Sequence, residues 1–392
     1  MKRILVVSEV FWPENFLIND LVCQLKSQGF KVDILTQHPS YPYGKVYDGY
    51  ENCDYCTEEW DGSTIYRFKV IEGYKESPFK KILNYFYFVH KGGAIVKKMT
   101  AKYDLVLVSQ TGPLTVTLPA IAYAKKFSAK LLIWTFDLWP DTVYSYGFKK
   151  NPILDFFLNR FIKKVYSYCD KIFVSSRQFI DNLRPYANDK PFYYMPNWLS
   201  ETVDTKSDIV LDRSKFNVTF TGNVSLYQNL ENVLYGHKLA NISNCVLNIV
   251  GDGSDLIHLK QIVKSKSIDN VVFHGRRPAN EMYDVIMQSD ALLLSLISDS
   301  GIQKTEPLKL QTYLRSGKPI LGVIGGSGRE IIEEYNLGLC AHPNDINEIA
   351  TTFSNIMKLS KSDRESIADS AKILMNNRFN REAIFENLLK HL

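Results

Sequence analysis

The amino-acid sequence predicts an α/β protein made of two Rossmann-like domains that face each other across a cleft. At 392 residues the chain exceeds what one hydrophobic core comfortably holds. Short β-branched runs alternate with segments of helical periodicity, which is typical of parallel sheets covered by helices. The alternation lapses once near the middle of the chain and then restarts, so the pattern indicates two such sheets.

The first predicted domain covers residues 1–195 and consists of strands separated by helical segments. Between residues 37 and 61 the chain is rich in tyrosine, glycine and proline, and we predict a long irregular loop there, of a kind that is usually functional or mobile. The predicted strands of this domain are Arg3–Ser8, Lys31–Thr36, Thr64–Phe68, Leu105–Ser109, Lys130–Thr135, Lys171–Val174 and Phe192–Tyr194.

The second predicted domain covers residues 214–378 and follows an interdomain linker over residues 196–213. Its strands are predicted in FNVTFTGN, CVLNIVGDG, NVVFHG, DALLLSL and KPILGVIGG, each ahead of a helical segment, and the chain after Asn344 is predicted to be helical. Ligands of open α/β sheets bind at the carboxyl ends of the strands, so the cleft between the domains is the predicted site.

Positive charge and aromatic residues are concentrated in two stretches, residues 74–103 and 156–168. Lysine stems and aromatic rings suit the membrane–water interface, and anionic lipid attracts each lysine by roughly 1 kcal/mol, so we predict contact with a membrane surface. The alternative is an ordinary amphipathic helix with a solvated basic face. A nucleic-acid partner is not expected, because no recognisable binding module accompanies the charge.

The amino terminus, MKRILVVSEVFWPE, is predicted to be a buried first strand and not a signal peptide. Its apolar run is short, and Glu9, Trp12 and Pro13 follow where a cleavage site would need small residues. No apolar run reaches the roughly 20 residues of a membrane span. We therefore expect a cytoplasmic protein.

The cysteines predict no metal site. Cys53 and Cys56 form the one CxxC pair, and neither a second CxxC nor a histidine pair accompanies it. A structural zinc site requires four ligands, so we expect free thiols in a reducing compartment.

Four strands of the second half end in glycine-rich turns that precede helices. Glycine lets a backbone approach a ligand closely, and a helix N-terminus offers N–H groups to phosphate oxygens. One such turn also serves simply to tighten the chain, but four on one sheet edge predict a nucleotide or diphosphate site. None has the pattern of a P-loop or of an NAD-binding fingerprint. The turns are Thr221–Ser225, Gly251–Asp255, His274–Pro278 and Gly325–Glu330.

The most specific pattern is P-x-K-x-x-x-Y-L-x-x-G-K-P, from Pro307 to Pro319. It resembles the donor-site signature of the GT-B glycosyltransferases of family 4. The resemblance is greatest to the bacterial branch that builds O-antigen, capsule and colanic-acid units, including N-acetylfucosaminyltransferase-like members. Other segments that resemble this branch, in the same order, are Asp137–Gly147, Val174–Leu183, Met195–Trp198, Thr221–Leu234 and Gly251–Lys260.

The resemblance implies that the second domain binds a nucleotide-sugar donor, with no obligatory metal or other cofactor. Lys309 is the first candidate for a phosphate contact that stabilises the departing UDP, and Arg276 is the second. A solvent-facing lysine is the alternative for Lys309, and the neighbouring Arg277 is an equal candidate beside Arg276. The other predicted donor-binding residues are Gly222, Asn223, Gly251, Gly275, Arg277, Glu306, Thr312, Gly326 and Glu330.

The sequence departs from the family pattern at the ribose and phosphate contacts. Most of the family carries two glutamates separated by seven residues, where this chain has Lys304 and Thr312, with Glu306 out of register. The Arg and Lys that usually follow the first strand of the second domain are replaced by Asn223 and Gln228. Ribose and phosphate recognition is therefore expected to be reorganised.

Asp137 follows the strand LLIWTF at a position that faces the predicted cleft. We predict that it orients or deprotonates the acceptor hydroxyl, with a structural role in the turn as the alternative. Asp141 is an acceptor-binding candidate, although an acid in a first helical turn also complements the helix dipole. Glu14 and Asn15, after the first strand, are predicted to contact the acceptor at the same rim.

These features and the resemblance predict a retaining glycosyltransferase of lipopolysaccharide, O-antigen or capsule biosynthesis. It would move a sugar, with an N-acetylated 6-deoxyhexose as one candidate, from a UDP-sugar to a polyprenyl-diphosphate-linked glycan. The protein would be peripheral on the inner leaflet of the bacterial plasma membrane. The resemblance also implies a C-terminal helix over residues 379–392 that packs back on the first domain. A UDP-sugar epimerase of GT-B fold and a non-catalytic sugar-nucleotide-binding protein are the alternatives.

Overall fold

The two halves of the chain fold into separate α/β units, each built around one sheet. The computed structural model describes residues 2–145, 149–187, 189–200, 203–298 and 301–392. The first unit comprises Met1–Met195 together with Ile384–Leu392, and the second comprises Pro196–Ala383. Parts of three predicted segments lie outside the described residues: residues 146–147 of the DLWPDTVYSYG motif, residues 201–202 of the linker, and residues 299–300 ahead of the donor-site signature.

The first unit holds an eight-stranded sheet in the order β3-β4-β2-β1-β5-β6-β7-β8, with β3 antiparallel to β4 and the other neighbours parallel. Its strands are β1 Arg3–Ser8, β2 Lys31–Gln37, β3 Cys56–Trp60, β4 Ser63–Phe68, β5 Leu105–Gln110, β6 Lys130–Thr135, β7 Lys171–Val174 and β8 Phe192–Tyr194. Its helices are α1 Leu17–Ser27, α2 Pro78–Lys98, α3 Thr117–Phe127, α4 Asp141–Ser145, α5 Pro152–Tyr168 and α6 Gln178–Ala187.

One strand of the first sheet was not predicted. Residues 37–61 were expected to be irregular throughout, but Cys56–Trp60 forms β3, which pairs with β4 through a two-residue turn at Asp61 and Gly62. Both turn residues have positive φ, 49° and 74°, which is the geometry that favours Asp-Gly in tight hairpins. The Asp-Gly pair was therefore the sequence feature that could have predicted this hairpin.

The second unit holds a six-stranded sheet in the order β11-β10-β9-β12-β13-β14, in which all neighbours are parallel. Its strands are β9 Phe216–Thr221, β10 Cys245–Val250, β11 Val271–Gly275, β12 Ala291–Ser295, β13 Ile320–Val323 and β14 Gly338–Ala341. Its helices are α7 Leu230–Ala240, α8 Leu256–Ser265, α9 Met282–Gln288, α10 Leu308–Ser316, α11 Gly326–Glu334, α12 Ile346–Ile356 and α13 Lys361–Arg378, and the chain ends with α14 Arg381–Leu389.

The unit boundaries differ from the predicted domain boundaries at two places. Residues 196–213, predicted as a linker, belong to the second unit, because Ile209 and Leu211 pack in a small cluster with Val250 and Val285. The segment that joins the first unit begins at Ile384 and not at residue 379, because the residue at 379, a phenylalanine, is buried in the second core.

Each sheet has one point at which the strand order reverses and the loops of neighbouring strands diverge. In the first sheet this point lies between β1 and β5, and in the second between β9 and β12. Ligands of doubly wound sheets bind at such points, outside the carboxyl ends of the strands. Among the described residues, no helix combines the length and the apolarity that crossing a bilayer requires.

Candidate functional site

In the second unit, side chains that follow β9 and β12 meet at the switch point. Lys309 is the second residue of α10, and its Nζ donates to Gln228 Oε1 at 2.5 Å. The same amine lies 4.0 Å from the centroid of the Phe220 ring, at the end of β9. A Cβ built on Gly222 would lie 3.5 Å from it. The predicted lysine therefore stands directly over the first glycine-rich turn.

The amine of Lys309 is largely withdrawn from water. Burial lowers its pKa from 10.5 to about 7, because the charged ammonium loses hydration on leaving water. An anion bound beside the amine would restore the charged form. The site is thus suited to a ligand that brings its own negative charge.

The glycine-rich turns after β9, β10 and β11 are joined through their backbones. Gly222 N donates to Val250 O at 2.9 Å, and Gly251 N donates to Gly275 O at 2.8 Å. A Cβ on Gly251 would lie 1.8 Å from Gly222 O, and its φ of +153° is one that other residues rarely adopt. Only glycine therefore fits this close approach of two strand ends.

We expect Gly251→Ala to destabilise the second unit far more than Gly275→Ala. The Gly251 Cβ would meet backbone that cannot move, whereas the Gly275 Cβ would enter open space and bear only the strain of a φ of +71°. That strain costs about 1 kcal/mol, and the Gly251 clash costs several kcal/mol or prevents folding. Urea unfolding of both variants measures the difference, and equal losses would contradict this account of the turns.

Helix α10 is held in place by the Tyr313 hydroxyl. This group accepts from Thr221 N at 3.1 Å and donates to Leu293 O at 3.2 Å, so it fixes the helix to both β9 and β12. The N-termini of α10 and α11 carry no side-chain cap, since Pro307 and Gly325 occupy the capping positions. A helix N-terminus attracts an anionic ligand through its N–H groups and its dipole.

The other predicted donor residues differ in their exposure and in their contacts. Asn223 is exposed beside Gly222, and its Oδ1 lies 2.6 Å from the position of a Cβ built on Gly253. Arg276 is exposed in the turn after β11, whereas Arg277 forms an ion pair of 3.1 Å with Asp208. Arg276 is thus the more exposed arginine of the pair.

The remaining donor candidates lie on the segments around α10 and α11. Glu306 is buried and forms an ion pair of 2.8 Å with Arg378, so its carboxylate is engaged in joining α10 to α13. Thr312 is partly buried on α10. Gly326 has a φ of +55°, and a Cβ built on it would lie 2.2 Å from Gln303 O. Glu330 is exposed on α11, beyond the first turn of the helix. The buried ion pair assigns Glu306 to positioning the donor-site signature.

In the first unit, the loops after β1, β5 and β6 meet at the other switch point. A Cβ on Gly112 would lie 2.8 Å from Glu9 Oε2, so this carboxylate lies over the loop that follows β5. Gln110 Nε2 donates to Gly112 O at 2.7 Å and to Asp137 O at 3.1 Å. The predicted Asp137 is thereby held at the same strand ends as Glu9.

Two carboxyl groups of this cluster have strongly shifted pKa values. Burial raises the pKa of Asp137 to about 7 against the attraction of Lys81, and Glu9 adds to the rise. Burial also raises the pKa of Glu9 to about 7, against Lys75 and Lys81. Carboxyl groups that titrate near neutral pH at a strand-end site are candidates for accepting or donating protons.

The sequence analysis missed Glu9 as a site residue and assigned Lys81 to the basic stretch. Glu9 immediately follows β1 as Asp137 follows β6, so its strand-end position was the feature that could have identified it. Lys81 lies in the first turn of α2, where its charge acts on both carboxyls.

The three predicted acceptor residues differ in their burial and in their hydrogen bonds. Glu14 is buried, and its carboxylate accepts from the backbone N–H groups of Phe11, Ser40 and Tyr41 at 3.2, 2.7 and 2.6 Å. It therefore positions the loop after β2, because both oxygens are occupied. Asn15 is exposed beside it, and Asp141 is the first residue of α4, partly buried.

A third cluster joins the CxxC pair to a histidine. The buried His38 lies beside Cys53 and Cys56, both of which are free cysteines, with ligand atoms of all three within 4.8 Å of one another. Burial, followed by the neighbouring Cys53, raises the pKa of the Cys56 thiol to about 11. In the metal-free protein this thiol is therefore protonated at neutral pH, and a metal ion would have to displace its proton.

Two doubly wound units with polar strand-end sites define a protein of the GT-B fold. Residues 204–374 match the family described as "Glycosyl transferases group 1". The chain is 26% identical over 271 residues to WbjE of Pseudomonas aeruginosa, described as a probable glycosyltransferase, which covers 66% of this chain and 67% of that protein.

Solved structures align with the whole chain. Sucrose-phosphate synthase from Thermosynechococcus elongatus aligns with a TM-score of 0.74 at 16% identity, covering 100% of this chain and 98% of that one. The Anabaena protein HepE in complex with UDP aligns with a TM-score of 0.67 at 12% identity, covering 100% and 99%. The predicted fold class is confirmed, and so is the predicted enzyme class, since residues 204–374 match the group 1 glycosyltransferases. The narrower N-acetylfucosaminyltransferase-like branch stays a prediction.

Proposed function

We propose that the protein is a retaining glycosyltransferase that moves a sugar from a UDP-sugar to a polyprenyl-diphosphate-linked glycan in surface-polysaccharide synthesis. The observation that carries the proposal is the partly buried Lys309 amine at the β9/β12 switch point, 2.5 Å from Gln228 Oε1. The second unit would bind the donor, and the first unit the acceptor. The complex of HepE with UDP supports the choice of nucleotide.

The donor site would act chiefly on the leaving group. Negative charge develops on the β-phosphate as the sugar–phosphate bond breaks, and the Lys309 ammonium would stabilise it without a metal. The N-termini of α10 and α11 would add fixed dipoles, which need no reorganisation during the reaction. Arg276 is the second proposed cation.

The acceptor site would act through Asp137. In same-face displacement the leaving phosphate receives the acceptor proton, so the ionised carboxylate needs only to orient the hydroxyl by accepting its hydrogen bond. Its pKa of about 7 also allows it to take the proton directly. Glu9, at the same strand ends, is the proposed partner in holding the acceptor.

The donor assignment is tested by thermal shift against a panel of nucleotides and nucleotide sugars, with and without EDTA. We expect UDP and one UDP-sugar to raise the melting temperature equally in both conditions. Stabilisation by GDP or dTDP instead would contradict the nucleotide assignment, and loss of the effect with EDTA would contradict metal-independent binding.

The affinity for UDP is expected to fall as pH rises through about 7. Below this value Lys309 is protonated and attracts the diphosphate, and above it the amine is neutral in the free protein. The fall is expected to approach tenfold per pH unit. Isothermal titration between pH 6 and 9 measures it, and Lys309→Arg, which keeps its charge, is the control with a flatter profile. Parallel profiles would show that the ionisation belongs to another group.

Membrane contact is proposed for the N-terminal halves of α2 and α5. Phe79 and Phe86 on α2 are 74% and 69% exposed, and Ile153 and Phe156 on α5 are 72% and 65% exposed. Both helices follow strands of a parallel sheet, so their N-terminal ends lie toward the carboxyl edge that carries Asp137. Exposed apolar side chains of this size are typical of a membrane or partner surface.

The lysines of the basic stretch predicted over residues 74–103 are spread along the length of α2 and do not form one patch. Lys80 lies in its first turn and Lys98 at its end, about 27 Å away for a straight helix. Lys81 is partly buried with the strand-end carboxyls. The proposed membrane surface therefore comprises the exposed apolar residues and Lys80, and not the whole lysine run.

We expect the double variant Phe79→Ser/Phe86→Ser to lower partitioning onto anionic vesicles by at least about tenfold, because two exposed rings can no longer enter the interface. Vesicle sedimentation at low salt measures the partitioning. The matched control is Ile373→Ser, which removes an exposed apolar side chain from α13. Equal partitioning of wild type and the double variant would remove this surface from the proposal.

A further inference from the structure

His38, Cys53 and Cys56 bring three metal-binding atoms together in the first unit. His38 directly follows β2 and is 3% exposed, and the two cysteines flank the start of β3. His38 Nε2 lies 3.2 Å from Cys53 O and 3.4 Å from Cys53 Sγ. One ligand atom from each residue lies within 4.8 Å of the others.

The donor set matches the chemistry of zinc. One imidazole nitrogen and two thiolates form a borderline-soft set, whereas magnesium and calcium prefer carboxylate and carbonyl oxygens. Bond lengths of about 2.0–2.3 Å place the ligand atoms of a tetrahedral zinc site roughly 3.3–3.8 Å apart. The 3.4 Å separation of His38 Nε2 and Cys53 Sγ fits this range. All three ligand atoms lie within 4.8 Å of one another, so side-chain movements of about 1 Å would bring them to the spacing of a zinc site.

A second observation concerns the other ring nitrogen of the histidine. His38 Nδ1 is buried and has no hydrogen-bond partner among the described residues. The nitrogen that faces Cys53 is Nε2, so an ion shared with the cysteines would bind Nε2 and replace its contact with Cys53 O. The metal-bound imidazole would then carry its proton on Nδ1.

We propose that His38, Cys53 and Cys56 bind one Zn²⁺ ion, with a fourth position left to water or to an exogenous ligand. Two thiolates neutralise the ion, so the site adds no net charge to the buried surroundings. The nearby Arg67 guanidinium is already paired with Glu58. The proposal replaces the expectation that the CxxC thiols are free.

The ion would fix the long loop between β2 and β3. Glu14 already holds the start of this loop through the N–H groups of Ser40 and Tyr41. Zinc would link His38, two residues before Ser40, to Cys53 and Cys56 at the end of the loop. Since His38 follows β2 at the carboxyl edge of the sheet, the clamp would order a loop that borders the acceptor site.

The test uses the full chain without a histidine tag, purified under reducing conditions, and elemental analysis of its zinc content. We expect about one zinc per chain in wild type and almost none in His38→Ala, Cys53→Ser and Cys56→Ser. Cys23→Ser, at an exposed cysteine on α1, is the matched control and keeps its zinc. A chelator is expected to lower the melting temperature of wild type and to leave that of Cys56→Ser unchanged.

Cobalt provides a measurement that does not depend on the variants folding. Chelated wild type titrated with Co²⁺ is expected to develop thiolate-to-cobalt charge-transfer absorption that saturates at one equivalent and disappears on adding zinc. Zinc content that is absent from wild type or insensitive to the three substitutions, or cobalt binding without thiolate absorption, would overturn the proposal. A Cys53–Cys56 disulfide that persists under the reducing conditions would also overturn it.

Discussion

Lys309→Ala is expected to lower turnover of the UDP-sugar donor by about 10²–10³-fold. Removal of one preorganised donor to developing charge has effects of this size in other enzymes. The amine is poised for this role because its position at the switch point is set by the Gln228 contact and by α10. Since the charge develops during the reaction, the loss is expected mainly in kcat, with a smaller rise in KM.

Two further variants serve as comparisons for Lys309→Ala. Lys309→Arg keeps a cation at the same place and is expected to retain more activity than Lys309→Ala, although its planar group fits the space of an ammonium imperfectly. Lys361→Ala removes a lysine from α13 whose side chain is 92% exposed, and is expected to have no effect. A Lys309→Ala enzyme with near-normal kcat and normal stability would show that the leaving group is stabilised elsewhere.

Asp137→Asn is expected to lower turnover by about 10²–10⁴-fold, because the amide can neither accept a proton nor bind the acceptor hydroxyl with a charge. Wild-type activity is expected to rise as pH increases through about 7, where Asp137 ionises, and to fall again as Lys309 loses its proton. The rising limb should be absent in Asp137→Asn. Initial rates between pH 5.5 and 9 measure both effects.

The stability of Asp137→Asn separates chemistry from folding. The folded carboxyl has a pKa above its unfolded value, so its contribution to the free energy of unfolding is present at low pH and is lost as pH rises through about 7. Asparagine removes this dependence, and the variant is expected to be at least as stable as wild type at pH 8. Low activity accompanied by a lower melting temperature at pH 8 would point to a structural role in the turn.

The repeating pattern of the sequence was sufficient to predict every parallel strand except β14, the short edge strand Gly338–Ala341. The Lys309 site could be predicted because a short local pattern identifies the N-terminus of α10. Its partner Gln228 is 81 residues away, and a sequence pattern does not reveal that the two side chains meet across a sheet. The same limit explains why Glu9 was not predicted as a site residue. Glu9 lies close to Gly112 only because β1 pairs with β5 in the sheet.

Glu14 and Glu306 show a different limit of sequence reasoning. Both lie at positions where a carboxylate could contact a ligand, but one accepts three backbone N–H groups and the other pairs with Arg378. A buried carboxylate needs such partners, and only the folded chain shows which ones it has found. Their residue type alone could not distinguish positioning from binding.

The measurement that tests the central claim most directly is product analysis with a UDP-sugar donor and a polyprenyl-diphosphate-linked saccharide. The account predicts that UDP release matches the amount of glycosylated lipid formed, that the new linkage keeps the anomeric configuration of the donor by NMR, and that Lys309→Ala forms neither product at a comparable rate. An epimerised nucleotide sugar without UDP release, or a linkage of inverted configuration, would contradict it.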